Sequence, residues 1–259
     1  MSGTAGRIDL ERRGPISILT IDRPAKLNAF TLEMVRELED ATVQLQHDPS
    51  VRCLVVRGGG DRAFSAGGDL ESLLPATVGA GIDTVSRDPT RRFFSELFIP
   101  VIAAIRGICI GGGLEIALGS DLRVAASDAR FGLGEVAWGL IPGAGSHIRL
   151  PRQIPYAIAM QLILLGQPIT AQRAYEVGLV NEVVEPGEEF ERALELAEKI
   201  SQNAPVAVRT AKEAVVRGLA LTDGFVIEHA LNTRVLRSDD AAEGPRAFKE
   251  HRVPEFVGR

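Results

Sequence analysis

Apolar positions recur along this chain with two different periods, and their order predicts strands that alternate with helices. Short apolar runs at residues 8–11 and 16–21 flank a turn-forming segment and predict two strands. From Thr31 onward, helical spacing predicts a helix whose first turn the Thr31 hydroxyl can cap. The predicted buried face of this helix contains Leu32, Val35, Leu38, Thr42 and Leu45. Residues 51–57 then form an apolar run, which is typical of a strand buried on both faces.

The same order of strand, glycine-rich turn and helix returns further along the chain. A strand predicted at residues 101–105 is followed by glycines 111–113 and by a helical run at 114–118. Another strand, at residues 122–125, precedes a glycine-rich stretch at 132–145. Strands that alternate with helices in this way predict an α/β protein with largely parallel sheets.

The pattern becomes helical towards the C-terminus. After helical spacing between residues 157 and 177, one last short strand is predicted at residues 180–184. Beyond Pro186, stripes of apolar residues predict four helices. We therefore predict an α/β core at residues 1–195 and a helical part at residues 196–259. Such helices could form a subdomain or an oligomer interface.

Composition narrows the class of protein. The 259 residues are 45% apolar and 24% charged, with a formal net charge of −5, which excludes general disorder and allows a large buried core. A mildly acidic chain does not favour nucleic-acid binding, which needs a basic face. A local cluster of Arg and Lys for a small anionic ligand remains compatible with this charge.

No segment has the pattern of a targeting or membrane-spanning sequence. The N-terminal residues are polar, and the most apolar region, residues 98–118, is interrupted by Pro100 and by charged residues. The two cysteines, Cys53 and Cys109, lie in apolar runs and do not make a disulfide framework. We therefore expect a cytoplasmic protein that does not associate with membranes.

Several common kinds of site are absent from the sequence. No GxGxxG follows a strand, no GxxxxGK[ST] occurs, and the four histidines are scattered, so neither those nucleotide loops nor a metal site is expected. The segment AFSAG lacks only the first glycine of a serine nucleophile elbow. Ser65 would then be the nucleophile and His147 the base of a hydrolase, but no particular acid completes the triad.

Two glycine-rich turns suggest a different chemistry. Gly67 and Gly68 follow one strand, and glycines 111–113 follow another and open a helix. Glycine lets the backbone approach a ligand closely, and a helix N-terminus favours a developing negative charge. The two turns could each donate one N–H to the same carbonyl oxygen, forming an oxyanion hole. The alternative is that these glycines only allow a helix to pack closely on a strand.

Two glutamates lie in apolar, glycine-rich surroundings. Glu115 belongs to the first turn of the helix that follows glycines 111–113, and Glu135 lies within FGLGEVAWG. Carboxyl groups in an apolar pocket have raised and mutually dependent pKa values, which suits general acid–base work. The alternatives are a helix N-terminal charge for Glu115 and a buried ion pair between Glu135 and Arg123 or Arg149.

Four blocks of this sequence, in their order and spacing, resemble the crotonase family of enoyl-CoA hydratases and isomerases. They are DRPAKLNA at residues 22–29, AFSAGGDL at 63–70, residues 107–115 and residues 131–150. The similarity continues to the C-terminal EGPRAFKEHR segment and so covers nearly the whole chain. It implies a spiral of ββα turns with a C-terminal helical part, assembled as a homotrimer or homohexamer.

The resemblance also implies the roles of the residues singled out above. The backbone N–H groups of Gly68 and Gly112 match those that hold the thioester oxygen, and Glu115 and Glu135 match the catalytic glutamates. With both glutamates present, the chain resembles the hydratases of the family, which add water to a 2-enoyl-CoA. Glu115 then matches the base and Glu135 the acid that protonates the α-carbon. Coenzyme A is part of the substrate, and no further cofactor is implied.

Further residues match positions along the path of the coenzyme A thioester. They are Lys26, Ala66, Gly67, Gly68, Asp69, Leu70, Gly112 and Gly143, with Lys26 as the candidate for the phosphates and His251 as a weaker one. The sequence departs from the family pattern at Ser146 and His147, which replace glycine and threonine, and at the bulky Trp138. These departures bear on the acyl group, as does the stretch 71–92, which is expected to set its length.

The resemblance leaves other activities open. They are double-bond isomerisation, dehydration of a special hydroxyacyl-CoA such as a carnitinyl-CoA, and acyl-CoA binding without catalysis. The presence of both glutamates argues against the last.

Overall fold

Two β-sheets form the frame of the computed structural model, which describes residues 6–78, 81–86 and 88–258. The larger sheet has the strand order β1-β2-β3-β5-β7-β10, and the smaller one has the order β4-β6-β8-β9. The strands are β1 (Arg7–Arg13), β2 (Ile16–Asp22), β3 (Cys53–Gly58), β4 (Ala63–Ser65), β5 (Val101–Ile105), β6 (Ile108–Ile110), β7 (Leu122–Ala126), β8 (Arg130–Gly132), β9 (Ile169–Thr170) and β10 (Glu182–Val184).

Helices connect the strands and fill the C-terminal part. They are α1 (Leu32–His47), α2 (Leu73–Thr77), α3 (Gly112–Gly119), α4 (Ser146–Gln153), α5 (Tyr156–Leu165), α6 (Ala171–Glu176), α7 (Glu189–Ser201), α8 (Pro205–Gly218), α9 (Thr222–Leu236) and α10 (Asp239–Lys249). Short 3-10 helices lie at Pro24–Lys26, Ile82–Thr84 and Glu135–Trp138.

The chain winds as a spiral in which each turn contributes one strand to each sheet. The pairs β3/β4, β5/β6 and β7/β8 do this in succession, and the strands from successive turns pair in parallel within both sheets. Antiparallel pairing is confined to β1 with β2 and to β8 with β9 among the strands of the described residues. The expectation of an α/β spiral with largely parallel sheets is confirmed.

Strands β3 and β5 of the larger sheet are buried on both faces, as the apolar run of β3 predicts. Leu54 and Val56 face the main core, which also contains α1, whereas Cys53 and Val55 face a second core. Helix α7 covers that second core with Leu194 and its neighbours. This double burial explains why β3 and β5 are continuously apolar instead of alternating.

The helix predicted from Thr31 is present as α1, and the Thr31 hydroxyl accepts a hydrogen bond from the Met34 N–H at 3.3 Å. Its buried face differs slightly from the predicted one. Met34 and Ala41 are buried, whereas Leu32 and Thr42, which were expected on that face, are only partly buried. The buried stripe is therefore shifted slightly around the helix, because Met34 packs into the main core.

The four predicted C-terminal helices are present as α7, α8, α9 and α10. The predicted boundary between residues 195 and 196 lies within α7, which packs on the larger sheet. The division of the chain into an α/β core and a helical part stays a prediction. Helix α8 contains no buried residue.

Outside the described residues lie 1–5, 79, 80, 87 and 259. The first of these ranges belongs to the polar N-terminus. Residues 79, 80 and 87 belong to the stretch that is expected to set acyl-chain length. Within the described part of the chain, no helix has the length and apolar character needed to cross a membrane. Cys53 and Cys109 are free, buried thiols. No group of three or more potential metal ligands lies together in the same described part.

Candidate active site

The two glycine-rich turns contact each other at the carboxyl ends of neighbouring strands. Parallel pairing of β4 with β6 places the residues after Ser65 beside those after Ile110. Gly67 has a φ of +87°, and a Cβ atom there would lie 2.8 Å from the backbone nitrogen of Gly112. The contact therefore requires glycine at position 67 for both its conformation and its size.

The backbone N–H groups of Gly68 and Gly112 border this contact. A Cβ atom on Gly112 would lie 3.7 Å from the Gly68 nitrogen. Residues on either side of Gly68 are paired with Phe30, because the Phe30 N–H donates to Gly67 O at 2.7 Å and the Asp69 N–H to Phe30 O at 2.9 Å. Neither the Gly68 nor the Gly112 N–H has an acceptor among the described residues. Gly112 also begins α3, so its N–H lies at the positive end of a helix dipole.

Asp69, expected on the coenzyme A path, directs its carboxylate into its own loop. It is 5% exposed, forms an ion pair with the buried Arg23, and accepts hydrogen bonds from the N–H groups of Glu71 and Ser72 at 2.7 and 3.0 Å. Asn28 secures the neighbouring segment, since its side chain accepts from the Arg23 N–H at 2.9 Å. These contacts fix the turn that carries Gly68.

Glu115 lies in the first turn of α3, three residues after Gly112, and is buried. Its Oε1 atom accepts hydrogen bonds from the Ala144 N–H at 2.6 Å and from the Ser146 hydroxyl at 2.7 Å. Burial raises the pKa of Glu115, and the negative charge of Glu228 raises it further, although the two hydrogen bonds oppose this. One carboxyl oxygen of Glu115 is thus held by two donors.

Glu135 begins the 3-10 helix at Glu135–Trp138 and lies next to the second glycine turn. A Cβ atom on Gly111 would lie 3.1 Å from Glu135 Oε1. Oε2 of Glu135 is buried and has no hydrogen-bond partner among the described residues. Burial raises the pKa of Glu135 to about 8, with a further contribution from the negative charge of Glu115. The structure therefore brings Gly68, Gly112, Glu115 and Glu135 together.

A buried polar cluster behind Glu115 was not found from the sequence. The Nδ1 atom of His147 lies 3.1 Å from Glu228 Oε1, and the His147 backbone N–H donates to the same oxygen at 3.2 Å. Glu228 Oε2 accepts from Arg92 Nε at 3.1 Å, and both of these side chains are 1% exposed. Ser146 and His147 were visible as departures from the family pattern. Glu228 gives no such signal, because it lies far along the chain in α9.

The other predicted residues occupy three different surroundings. Ala66 and Leu70 are partly exposed and flank the Gly67–Gly68 turn. Gly143 lies one residue before Ala144 and packs against the side chain of Asn232. Lys26 is exposed and forms an ion pair with Glu71 at 3.0 Å.

Trp138 packs against the C-terminal helices. Its ring makes an edge contact with Phe248 of α10, with ring centres 5.2 Å apart, and it packs on the small cluster around Leu236. His251 lies exposed just beyond α10.

Two alternative interpretations are wrong. The Ser65 hydroxyl is buried and donates to Asn28 O at 2.8 Å, while His147 is paired with Glu228, so they do not form a nucleophile and base. Arg123 donates to the carbonyl groups of Ala117, Ser120 and Leu179. Arg149 donates to Phe93 O and to Ser95, so neither arginine pairs with Glu135.

Comparisons with known proteins find relatives that cover nearly the whole chain. Residues 11–259 match the family described as enoyl-CoA hydratase/isomerase. The chain is 42% identical to enoyl-CoA hydratase EchA19 of Mycobacterium tuberculosis, with 96% of each chain covered. It is 38% identical to a carnitinyl-CoA dehydratase of Salmonella arizonae, covering 96% of this chain and 97% of that protein. The solved structure of EchA1_1 from Mycobacterium paratuberculosis has a TM-score of 0.87 at 38% identity, covering 98% of this chain and 100% of the other.

Proposed function

Because this chain belongs to the enoyl-CoA hydratase/isomerase family, we propose that it catalyses the reversible addition of water across the 2,3 double bond of a 2-enoyl-CoA thioester. The observation that carries this proposal is the pair of carboxyl groups, Glu115 and Glu135, beside two unpaired backbone N–H groups of the described residues. One member of such a pair can accept a proton while the other donates one.

Charge develops on the thioester oxygen as water adds to the β-carbon, since the conjugated thioester becomes an enolate. The N–H groups of Gly68 and Gly112 would donate to this oxygen, and one such donor is worth roughly 3–4 kcal/mol in comparable sites. Both donors are backbone groups of fixed turns, so they need no rearrangement as the charge forms.

The two glutamates divide the proton transfers. Like charges held together oppose simultaneous ionisation, so the pair retains one proton. The hydrogen bonds from Ala144 and Ser146 favour the charge on Glu115, whereas Glu135 Oε2 has no such donor among the described residues. Glu115 is therefore the base that takes a proton from water as its oxygen bonds to the β-carbon. Glu135 is the acid that gives its proton to the α-carbon.

Dehydration of a hydroxyacyl-CoA is the second candidate, since the chain is 38% identical to a carnitinyl-CoA dehydratase. It uses the same two groups in reverse. Double-bond isomerisation is less well supported, because a second carboxyl group lies in the site.

A panel of 2-enoyl-CoA and hydroxyacyl-CoA thioesters tests these alternatives, with loss or gain of absorbance at the enoyl thioester band as the measurement. Each of Glu115→Gln and Glu135→Gln is expected to lower kcat for hydration by at least ~10²-fold. The double variant should be little worse than the poorer single one, because the two groups act as a unit.

Solvent deuterium separates the two roles. Glu135→Gln should abolish exchange of the α-protons, whereas Glu115→Gln should retain part of it. A folded Glu135→Gln enzyme with full hydratase activity would contradict this mechanism. Parent-like hydratase activity in Glu115→Gln would show that Glu115 is not the base.

Lys26 is proposed to contact the coenzyme A phosphates, exchanging its exposed ion pair with Glu71 for the ligand. Lys26→Ala should raise KM for acyl-CoA and weaken its salt dependence while kcat is kept. An unchanged KM and salt dependence would remove this assignment.

We further propose a homotrimer or homohexamer in the cytoplasm. The apolar surface of α8 and α9 supports the assembly, and the compartment rests on the sequence pattern alone.

A further inference from the structure

We propose that Ser146 is a positioning residue that orients the carboxyl group of Glu115, and that Glu228 of α9 opposes it by placing a buried negative charge nearby. This inference rests on the proposed hydration, in which Glu115 must be ionised to accept a proton. Both residues are buried and act through Glu115.

The contact between Ser146 and Glu115 is short and fully buried. The Ser146 hydroxyl, which has no exposed surface, donates to Glu115 Oε1 at 2.7 Å, next to the Ala144 N–H at 2.6 Å. Two donors on one oxygen fix the plane of the carboxyl group. Without the hydroxyl, a single backbone donor would remain, and the carboxyl group could rotate about it.

Helix α9 secures the turn that carries Ser146. Glu228 Oε1 accepts the backbone N–H of His147, the next residue, at 3.2 Å and approaches the His147 ring at 3.1 Å. Arg92 pairs with the other oxygen of Glu228 at 3.1 Å. A residue of the C-terminal helical part therefore sets the position of α4, and through it the donor to Glu115.

The charges around Glu115 come from four elements. Glu228 carries negative charge towards it, and Glu135 does so only once it has lost its proton. Arg149 and Arg92 carry positive charge, and His147 does so when it is protonated. Glu228 raises the pKa of Glu115, whereas the Ser146 hydrogen bond lowers it. The two residues therefore shift the ionisation of Glu115 in opposite directions.

Substituting each residue separately tests this opposition. Ser146→Ala removes the donor, so the acid limb of the kcat profile should move to higher pH by about one unit, because a hydrogen bond to a charged group is lost. Glu228→Gln keeps the size but removes the charge, so the same limb should move to lower pH. KM should change little in either variant, since neither residue touches the substrate.

A direct titration gives a readout that needs no activity. Glutamate labelled with ¹³C at its carboxyl group is followed by NMR across pH, and Glu115→Gln identifies the Glu115 signal. The Glu115 titration should move to higher pH in Ser146→Ala. The matched control is Ser201→Ala, which removes another buried hydroxyl that donates to a carbonyl, at 2.7 Å, in α7. That variant should reproduce the parent titration and the parent kcat profile.

The outcomes separate this inference from the proposed function. A parent-like Glu115 titration and acid limb in folded Ser146→Ala would overturn it, as would shifts of the same sign in Ser146→Ala and Glu228→Gln. If Glu228→Gln does not fold, the comparison of Ser146→Ala with Ser201→Ala still decides the role of Ser146. If the parent hydrates no enoyl-CoA, the proposed function fails, while the NMR titration still tests the effect of Ser146 on Glu115.

Discussion

At the scale of single residues, the carboxyl group of Glu135 illustrates a conflict between folding and chemistry. Its Oε2 atom is buried without a hydrogen-bond partner among the described residues, and its pKa is raised to about 8. A carboxyl group that stays protonated near neutral pH can donate a proton to carbon. The same burial makes its ionisation costly in the folded state.

The first prediction concerns the pH dependence of stability. Because the pKa of Glu135 is about 8 in the folded chain against 4.5 ordinarily, the folded state binds more protons between these values and loses stability as pH rises. Glu135→Gln removes this loss. Its free energy of unfolding should equal that of the parent near pH 4 and exceed it increasingly towards pH 8, as measured by urea unfolding across pH.

Glu198→Gln, at an exposed position of α7, is the control. Its free energy of unfolding should not diverge from that of the parent as pH rises. If the free energies of unfolding of Glu135→Gln and the parent differed by the same amount at all pH values, the raised pKa of this buried carboxyl group would be contradicted.

The second prediction concerns the contact between the two glycine turns. In Gly67→Ala the new methyl group would lie 2.8 Å from the Gly112 nitrogen, so one turn must move and misalign an N–H donor. We expect kcat for hydration to fall by ~10²-fold or more, the scale for loss of one oxyanion donor. Steady-state kinetics on the preferred enoyl-CoA measure this.

Gly178→Ala is a matched control, because Gly178 also has a positive φ, +80°, but a Cβ atom there would meet no described atom within 4 Å beyond its chain neighbours. Both variants strain the backbone by a similar amount, about 1–2 kcal/mol. Equal kcat values for hydration in the two variants would show that the close contact between Gly67 and Gly112 is not needed for catalysis.

Some residues of the candidate site can be recognised in the sequence, and others can be found only in the folded chain. Glu115 and Glu135 stand out in the sequence because charged residues rarely occur within apolar, glycine-rich segments. Ser146 departs from the family pattern, but its hydrogen bond to Glu115 depends on the turn after Gly145 and could not be derived from spacing. Glu228 is separated from Glu115 by more than a hundred residues, so only the folded chain brings their charges together.

At the scale of elements, the pattern predicted the strands of the larger sheet and missed those of the smaller one. β3 and β5 are long apolar runs with clear ends. β4, β6 and β8 have three residues each, which is too short for a period of two to be recognised. The glycine turns of the site follow β4 and β6, so the elements that align the two N–H donors are those that the periodicity does not reveal.

The third prediction concerns the attachment of α8. This helix has no buried residue, yet Lys212 is only 10% exposed and joins it to Asp121 at 2.7 Å and to Ile99 O at 2.9 Å. Lys212→Met should lower the free energy of unfolding by about 1–3 kcal/mol, because it removes the ion pair with Asp121 and the donor to Ile99 O. Among the described residues, the Asp121 carboxylate then keeps only the hydrogen bond from the Val101 N–H, at 2.7 Å. Amide protons of α8 should lose more protection from hydrogen exchange than those of α7.

Lys199→Met removes an exposed lysine from α7 and is the control. If both variants unfold at the same urea concentration and α8 exchanges as in the parent, Lys212 does not anchor this helix.

At the scale of the whole molecule, the C-terminal helices differ in how they meet the spiral. α7 covers a core on the larger sheet, and α9 reaches the site through Glu228. The outer sides of α8 and α9 leave large apolar side chains exposed, among them Val215, Ile227 and Leu231. A helix with exposed apolar residues on one side is typical of a surface that another chain covers.

The last prediction concerns that surface. Ile227 and Leu231 are four residues apart and so lie on one side of α9, and Ile227 is 60% exposed. A charge there would have to be buried if copies of the chain associate through this side, so Ile227→Glu should reduce assembly. Multi-angle light scattering should give the parent the mass of three or six chains and Ile227→Glu a lower mass, with unchanged circular dichroism.

Val43→Glu, which alters a 57% exposed apolar residue on α1, is the control and should retain the parent's mass. A parent that is monomeric at micromolar concentration would rule out the homo-oligomer. An oligomer that tolerates Ile227→Glu would place the interface on another face of the molecule.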